Sequence, residues 1–360
     1  MDILLFLLSF VMILIGCEFF TNSVEWLGKR FKLSEGAIGS VLAAVGTAMP
    51  ETLLPLIAII IVGGDAGHEI GVGAILGAPF MLATIALFIC GLSIFIFAKR
   101  RKTKTLHING RLVRRDLRFF LIAYSLAAVA AFVPTEFGWF RVILGLTLVP
   151  LYGIYAVLTL RRREGIHNSD DLKCLYFQRA VERVKGNNSE IDPMSDKFRK
   201  LVYQVEPRTY LILAQVAMGL LAIILGANIF VQQIELVAKA IGMPSLILAL
   251  ILAPIATELP EKFNSVLWIR DRKDTFAIGN ITGAMVFQST VVVTIGIFLT
   301  DWHISLSDST QFLQACAIGI ALLSGTILYL RSSHKELRLS GLMIGGALYL
   351  LFILLVALNL

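Results

Sequence analysis

Long, uninterrupted apolar blocks run through this chain from end to end, and they leave little choice of fold. A helix needs about 20 apolar residues to cross the hydrocarbon core of a bilayer, and block after block reaches that length. In lipid each backbone polar group must be satisfied within its own segment, so the expected structure is an all-α polytopic membrane protein. Composition agrees: 57% of the 360 residues are hydrophobic and only 16% are charged, against about 25% charged in ordinary soluble chains. A soluble enzyme and a disordered chain are both excluded.

Ten spans are expected, at about 3–27, 34–62, 69–98, 118–133, 138–160, 209–239, 243–269, 275–300, 311–330 and 339–359. The first, third, fifth, seventh and ninth connections hold Lys29 to Lys32, Lys99 to Arg118, Arg161 to Arg208, Arg270 to Lys273 and Arg331 to Arg338. The even-numbered connections carry Asp65, Glu69, Glu136, Asp301 and Asp308 and almost no cation besides Lys239. This alternation satisfies the positive-inside rule with both termini outside and the long connection cytoplasmic. It also accounts for the net charge of +7 without nucleic acid. Asp2 ahead of the first block and cations behind it predict a retained first span, not a cleaved signal. Four scattered cysteines (Cys17, Cys90, Cys174, Cys316) give no disulfide framework or zinc spacing.

The chain repeats itself. A shift of 210 residues lays Gly16 on Gly226, Phe20 on Phe230, Thr47 on Thr257, Pro50 on Pro260 and Glu51 on Glu261. With a four-residue gap, Gly73 falls on Gly279 and Gly77 on Gly283. Each half holds five spans, an odd number, so the second half must insert upside down. The expected plan is two inverted five-helix repeats, 1–160 and 208–360, joined by a cytoplasmic linker over 161–207. Part of that linker, 170–185, could form a basic amphipathic helix. Inverted repeats typify secondary transporters, whose sites lie near the midplane at discontinuous helices.

The matched positions supply a specific chemistry. Pro50 and Pro260 each remove an amide donor mid-span, so helices 2 and 7 are expected to be broken there. Each proline is followed by a carboxylate, costly in a membrane and functional by default. Thr47 and Glu51 share a helix face, as do Thr257 and Glu261. Two carboxylates, hydroxyls and bared carbonyls meeting at mid-depth would make an all-oxygen cation site. The glycine pairs would let helices 3 and 8 approach their neighbours closely.

At these residues the sequence resembles a known family. Gly46-Thr47-Ala48-Met49-Pro50-Glu51 and Ala256-Thr257-Glu258-Leu259-Pro260-Glu261 look like the paired GTSxPE motifs of the Ca²⁺:cation antiporters, in the sodium/calcium exchanger branch. Gly279-Asn280-Ile281-Thr282-Gly283-Ala284 resembles the following GNxxGSN segment. The resemblance implies alternating access, with Glu51 and Glu261 binding the transported ions and Thr47 and Thr257 as accessory ligands. Several family positions differ. The motif serine is Ala48 or Glu258, the GSN serine is Ala78 or Ala284, and the later Asn or Asp position holds Leu82 or Gln288. Asn280 is kept, whereas its mate is Ala74.

Glu258 is either a third ligand or the partner of Lys262 four residues on. Pairing leaves two net negative charges among Glu51, Glu258, Glu261 and Lys262, enough for one divalent or two monovalent cations. The candidate ion ligands are therefore Glu51, Glu261, Thr47, Thr257, Glu258 and Gln288, with Lys262 and Asn280 accessory. Glu18 and Asn228 either line the cavity or make structural contacts between helices. The reading is an antiporter in a plasma or cell inner membrane, exporting Ca²⁺ or a similar divalent cation in exchange for H⁺ or Na⁺. Its partners are inorganic cations and the lipid bilayer, with no cofactor. The alternative is a non-transporting scaffold or ion sensor with a degenerate site. An intramembrane enzyme ranks below both, since no nucleophile–base pair or HExxH motif is present.

Overall fold

A computed structural model describes residues 3–30, 51–161, 174–178, 207–333 and 336–359. Among these residues ten helical segments follow one another. They are α1 (Ile3–Arg30), α2 (Glu51–Val62), α3 (Gly64–Arg101), α4 (Gly110–Ala131), α5 (Gly138–Arg161), α6 (Thr209–Ile241), α7 (Ser245–Arg270), α8 (Asp274–Leu299), α9 (Ser309–Arg331) and α10 (Leu339–Asn359). Seven of them, α1, α3, α5, α6, α8, α9 and α10, are long and apolar enough to cross a membrane by themselves. The others depart for physical reasons. In α7 the uncharged apolar run stops at Glu258, where the charged residues begin. α4 opens with Arg111, Arg114, Arg115, Asp116 and Arg118 inside the helix, although the sequence places the start of that span at 118. Asn109 caps it, its side chain accepting from the amides of Arg111 and Leu112. The arginine stems can lie along apolar surface while their heads reach water, which lets the helix start about two turns earlier.

The expected break in helix 7 is absent: α7 is continuous from Ser245 to Arg270, through Pro254 and Pro260. Proline withholds one amide and crowds one turn, a local cost that a helix packed on α3 and α8 can absorb. Helix 2 cannot be compared at this point, since Pro50 lies outside the described residues. Departures from α-helical pitch occur elsewhere, as π-helical turns at Ile57–Val62 in α2, Leu82–Ala86 in α3 and Gln288–Val292 in α8.

One matched pair of glycines makes matched contacts. α1 and α6 cross closely, and small residues permit it. A methyl added at Gly16 would meet Ile223 at 2.9 Å, and one at Gly226 would meet Ile13 at 3.0 Å. Ile13 and Ile223 are themselves a pair under the 210-residue shift, so each half presents the same contact to the other. α3 lies on α7 still more tightly: a methyl at Gly73 would fall 2.3 Å from the Leu246 carbonyl, and one at Gly77 2.2 Å from that of Leu250. Their mates are looser, with the nearest atoms to Gly279 and Gly283 at 3.4 and 3.5 Å. Of the two glycine pairs, only the first is required for close approach among the described residues. Between α2 and α3 the chain reverses through Gly63 and Gly64, both at positive φ (64° and 65°), where a side chain would be strained.

Among the described residues the connections gather at two ends. At one end Thr105–His107 pairs antiparallel with Glu336–Arg338, tying the α3–α4 and α9–α10 connections together. There the buried Arg101 guanidinium grips Asp274 with two bonds of 2.7 Å, and Asp274 also accepts from the His107 amide at 2.8 Å. The α7–α8 connection joins this end through Asp271, 3.4 Å from Arg100. Asp271 titrates below the usual carboxylate range because Arg270 donates to it. At the other end, Gly64, Pro244 and the 300–308 loop border one cavity. That loop folds inward: Trp302 donates to the Ala127 carbonyl at 3.1 Å, and the Ile304 amide to that of Ala131 at 2.8 Å.

Little of the linker is described. Residues 174–178, within the expected amphipathic helix, rest on α1 and α6. Tyr176 stacks on Phe19 at 5.3 Å, and the Phe177 amide donates to Gln215.

Candidate ion site

Polar groups buried in an apolar helix need a reason, and α7 concentrates them. Thr257, Glu258 and Lys262 are 4%, 1% and 2% exposed, a degree of burial that ionic side chains avoid unless paired. The pairing is present: Lys262 Nζ lies 3.2 Å from Glu258 Oε2. Helical pitch brings the two together, since residues four apart stack on one face. Thr257 directs its hydroxyl to the Ala253 carbonyl at 3.4 Å, a long bond within its own helix. α7 packs along both halves of α3.

Two π turns interrupt α3 and α8, the helices that pack on α7. Leu82–Ala86 and Gln288–Val292 are the same length and stand 206 residues apart, the offset that aligns Gly77 with Gly283. Each carries a matched threonine with one bonding pattern: Thr84 donates to the Phe80 carbonyl and Thr290 to that of Val286, both at 2.6 Å. π turns disturb the regular carbonyl ladder and occur often at functional sites. Gln288 opens the second turn, 1% exposed, and its Oε1 has no hydrogen-bond partner among the described residues. Burying an unsatisfied amide oxygen costs about 1–3 kcal/mol.

The remaining candidates are distributed as follows. Glu51 begins the described part of α2 and is 6% exposed. Thr47 lies outside the described residues, as does the side chain of Glu261, whose backbone belongs to α7. Asn280 is half-buried on α8. Glu18 accepts from Tyr176 at 2.5 Å, and Asn228 from Gln232 one turn on in the same helix at 2.6 Å.

One buried carboxylate escaped the sequence reading. Asp116 on α4 is 1% exposed, accepts from Thr282 at 2.9 Å and is bridged by Arg115 at 3.1 Å. Thr282 belongs to the Gly279–Ala284 segment, so α4 is tied to the motif helix itself. Starting the span at 118 left Asp116 among loop charges and hid it. The paired threonines of the π turns needed only the 206-residue register continued past Gly77.

Seven helices long and apolar enough to cross a membrane, with acids buried among them, mark an integral membrane protein. The particular family follows from comparison. The chain matches the sodium/calcium exchanger protein family over residues 1–161 and 211–360, nearly everything outside the linker, and it belongs to that family. Members of this kind are secondary transporters, not enzymes. It is 23% identical over 335 residues to the sodium/calcium exchanger MaX1 of Methanosarcina acetivorans, covering 86% of each chain. Among solved structures, the H⁺/Ca²⁺ exchanger CAX shares the fold with a TM-score of 0.68 at 16% identity, over 99% of this chain and 85% of that one. The sodium-calcium exchanger NCX_Mj shares it at 0.55 and 18% identity, over 98% and 97%. The chain is thus an exchanger-type cation antiporter.

Proposed function

We propose that the protein exports Ca²⁺ or a similar divalent cation from the cytoplasm in exchange for H⁺ or Na⁺, by alternating access of two inverted five-helix repeats. The halves are 1–160 and 208–360, joined by a cytoplasmic linker at 161–207, with ten spans and both termini outside. The observation that carries this reading is the pairing of π turns and back-bonded threonines at one offset in α3 and α8, in a bundle that also buries Glu51 on α2 and Glu258 on α7. Repeated irregularity in two packed helices suits a site that opens first to one side and then to the other. Glu51 and Glu261 are the shared ligands, Thr47, Thr257, Glu258 and Gln288 contribute oxygen, and Lys262 and Asn280 set the local charge and polarity. A carboxylate-rich donor set with few hydroxyls suits a divalent ion, with protons as competitor for the same oxygens. The experiment is Ca²⁺ flux in proteoliposomes with Na⁺ and pH gradients imposed separately. Flux driven by neither gradient would sink the reading.

A second reading has one observation in its favour. Lys262 places a tethered ammonium 3.2 Å from Glu258, where a non-transporting relative could hold a permanent internal cation. Wild-type vesicles with no flux, together with flux gained on replacing Lys262 by a neutral residue, would favour it.

A further inference from the structure

We infer that the end of the bundle opposite the basic connections contains an antechamber that holds a hydrated divalent cation, separate from the ligands on α2 and α7. A cavity of about 580 Å³ opens there, over the outer seam between α3 and α7. Asp65 and Glu69 of α3, Asp301 of the 300–308 loop and Asp308 at the start of α9 line it. Among the described residues no lysine or arginine lines it; the nearest approach to a cation is the imidazoles of His68 and His303. Asp65, Asp308 and Glu235 all act electrostatically on Glu69, so the carboxylates form one field. Of these acids, Glu235 has its own counter-ion, Lys239 at 2.6 Å, and Asp308 also accepts from the Gln311 amide at 2.8 Å. A recess of one charge sign with apolar walls focuses its potential and concentrates the opposite ion.

Acidic side chains alone would not make a site. The second observation is Gln314, a polar side chain on the same wall that is only 5% exposed and has no hydrogen bond among the described residues. Its amide is a ready acceptor for a cation or for the water around one. Among the described residues no three His, Cys, Asp or Glu side chains could together hold a bare metal ion. The guest therefore keeps its water, which matches a waiting position and not a transport ligand set. Below the cavity Leu76 and Leu246 close the seam, so an ion here stands at the mouth of the path.

This inference rests on the exchanger reading for its role at the mouth, but binding can be tested without transport. The probe is Tb³⁺, added to the full-length purified protein and read by luminescence sensitised through tryptophan, since Trp302 lines the cavity. The expected result is a saturable signal that raised salt weakens, because an exposed carboxylate field is screened. It should be lost in Trp302→Phe and in the combined Asp65→Asn, Glu69→Gln, Asp301→Asn, Asp308→Asn variant, in which asparagine can still cap α9. It should survive Glu51→Gln with Glu261→Gln. No signal in the wild type, or one unmoved by the antechamber variants, overturns the inference. A signal lost only with Glu51 and Glu261 also overturns it and puts the ion at mid-membrane. In vesicles, the antechamber variant should raise the half-saturating Ca²⁺ on that face by about threefold or more at low salt. Absence of flux in the wild type would sink the exchanger reading and leave the Tb³⁺ result standing.

Discussion

Lys262 and Glu258 form an ion pair one helical turn apart, 3.2 Å between Nζ and Oε2, with each side chain 2% exposed. A buried pair of this kind is fixed in place, because either partner alone would be a charge without compensation in a dry interior. Removing one member of such a pair costs about 3–5 kcal/mol, whereas replacing both can be nearly neutral. Lys262→Met and Glu258→Gln should each lower the melting temperature of the purified protein markedly, and the double variant should recover much of the loss. A coupling energy of about 1–3 kcal/mol is expected. Additive losses would show that Glu258 answers to some other partner.

The proposed ligand role of Glu51 and Glu261 makes a sharper demand. Glutamine keeps the shape and one carbonyl oxygen and removes the charge, so Glu51→Gln and Glu261→Gln should each stop divalent exchange while the protein still folds. Size-exclusion profile and melting temperature check the folding, and ⁴⁵Ca²⁺ uptake checks the transport. Normal uptake by either variant would show that the site has been misplaced.

Gly77 and Gly283 align in sequence yet face different surroundings. A methyl at Gly77 would lie 2.2 Å from the Leu250 carbonyl and 2.7 Å from Pro254, whereas at Gly283 it would meet nothing closer than the Tyr155 hydroxyl at 3.5 Å. Gly77→Ala should therefore destabilise by about 1–3 kcal/mol, the usual cost of overpacking, and Gly283→Ala should be close to neutral. Thermal unfolding of the two variants side by side gives the comparison. Equal losses would mean that α8 packs as tightly as α3.

Those glycines also show how far the sequence could be read. Periodic apolar blocks and alternating charge sufficed for helix order and for the two ends, because lipid and the positive-inside rule act on each segment separately. The 210-residue register identified Gly16 and Gly226, whose crossing proves to be reciprocal. The π turns were not legible: one extra residue in a helical turn depends on what packs against it, and Leu82 to Ala86 reads as ordinary apolar helix. The continuity of α7 through Pro260 has the same origin, since tertiary contacts outweigh a single missing amide. Asp116 was missed because four nearby arginines made its stretch look solvated.

The Arg101–Asp274 pair should act as a stability element at the basic end. Both side chains are almost fully buried (1% and 2% exposed), and the carboxylate also accepts from the His107 amide. Asp274→Ala would leave the guanidinium buried without its counter-charge, at a cost of about 3–5 kcal/mol. Asp274→Glu keeps the charge and should restore part of that loss. Melting temperatures in detergent test this, and an alanine variant as stable as the wild type would show that the pair contributes nothing net.

Coupling is the property on which donor chemistry has most to say. Sodium favours several neutral oxygens, and this chain places Ala48, Ala78, Ala284 and Leu82 at the positions where such ligands would stand. The proposed ligands are Glu51, Glu258 and Glu261 with Thr47, Thr257 and Gln288, a set rich in carboxylates. Protons compete with a divalent cation for those carboxylates, since protonation removes the charge that holds the ion. Acidifying the outside of Ca²⁺-loaded vesicles should therefore accelerate Ca²⁺ release with no Na⁺ present, as protons enter and displace the ion. The same pulse should do nothing in Glu51→Gln. If release requires Na⁺ and ignores the acid pulse, Na⁺ is the coupling ion, and backbone carbonyls must supply the neutral oxygens that the side chains lack.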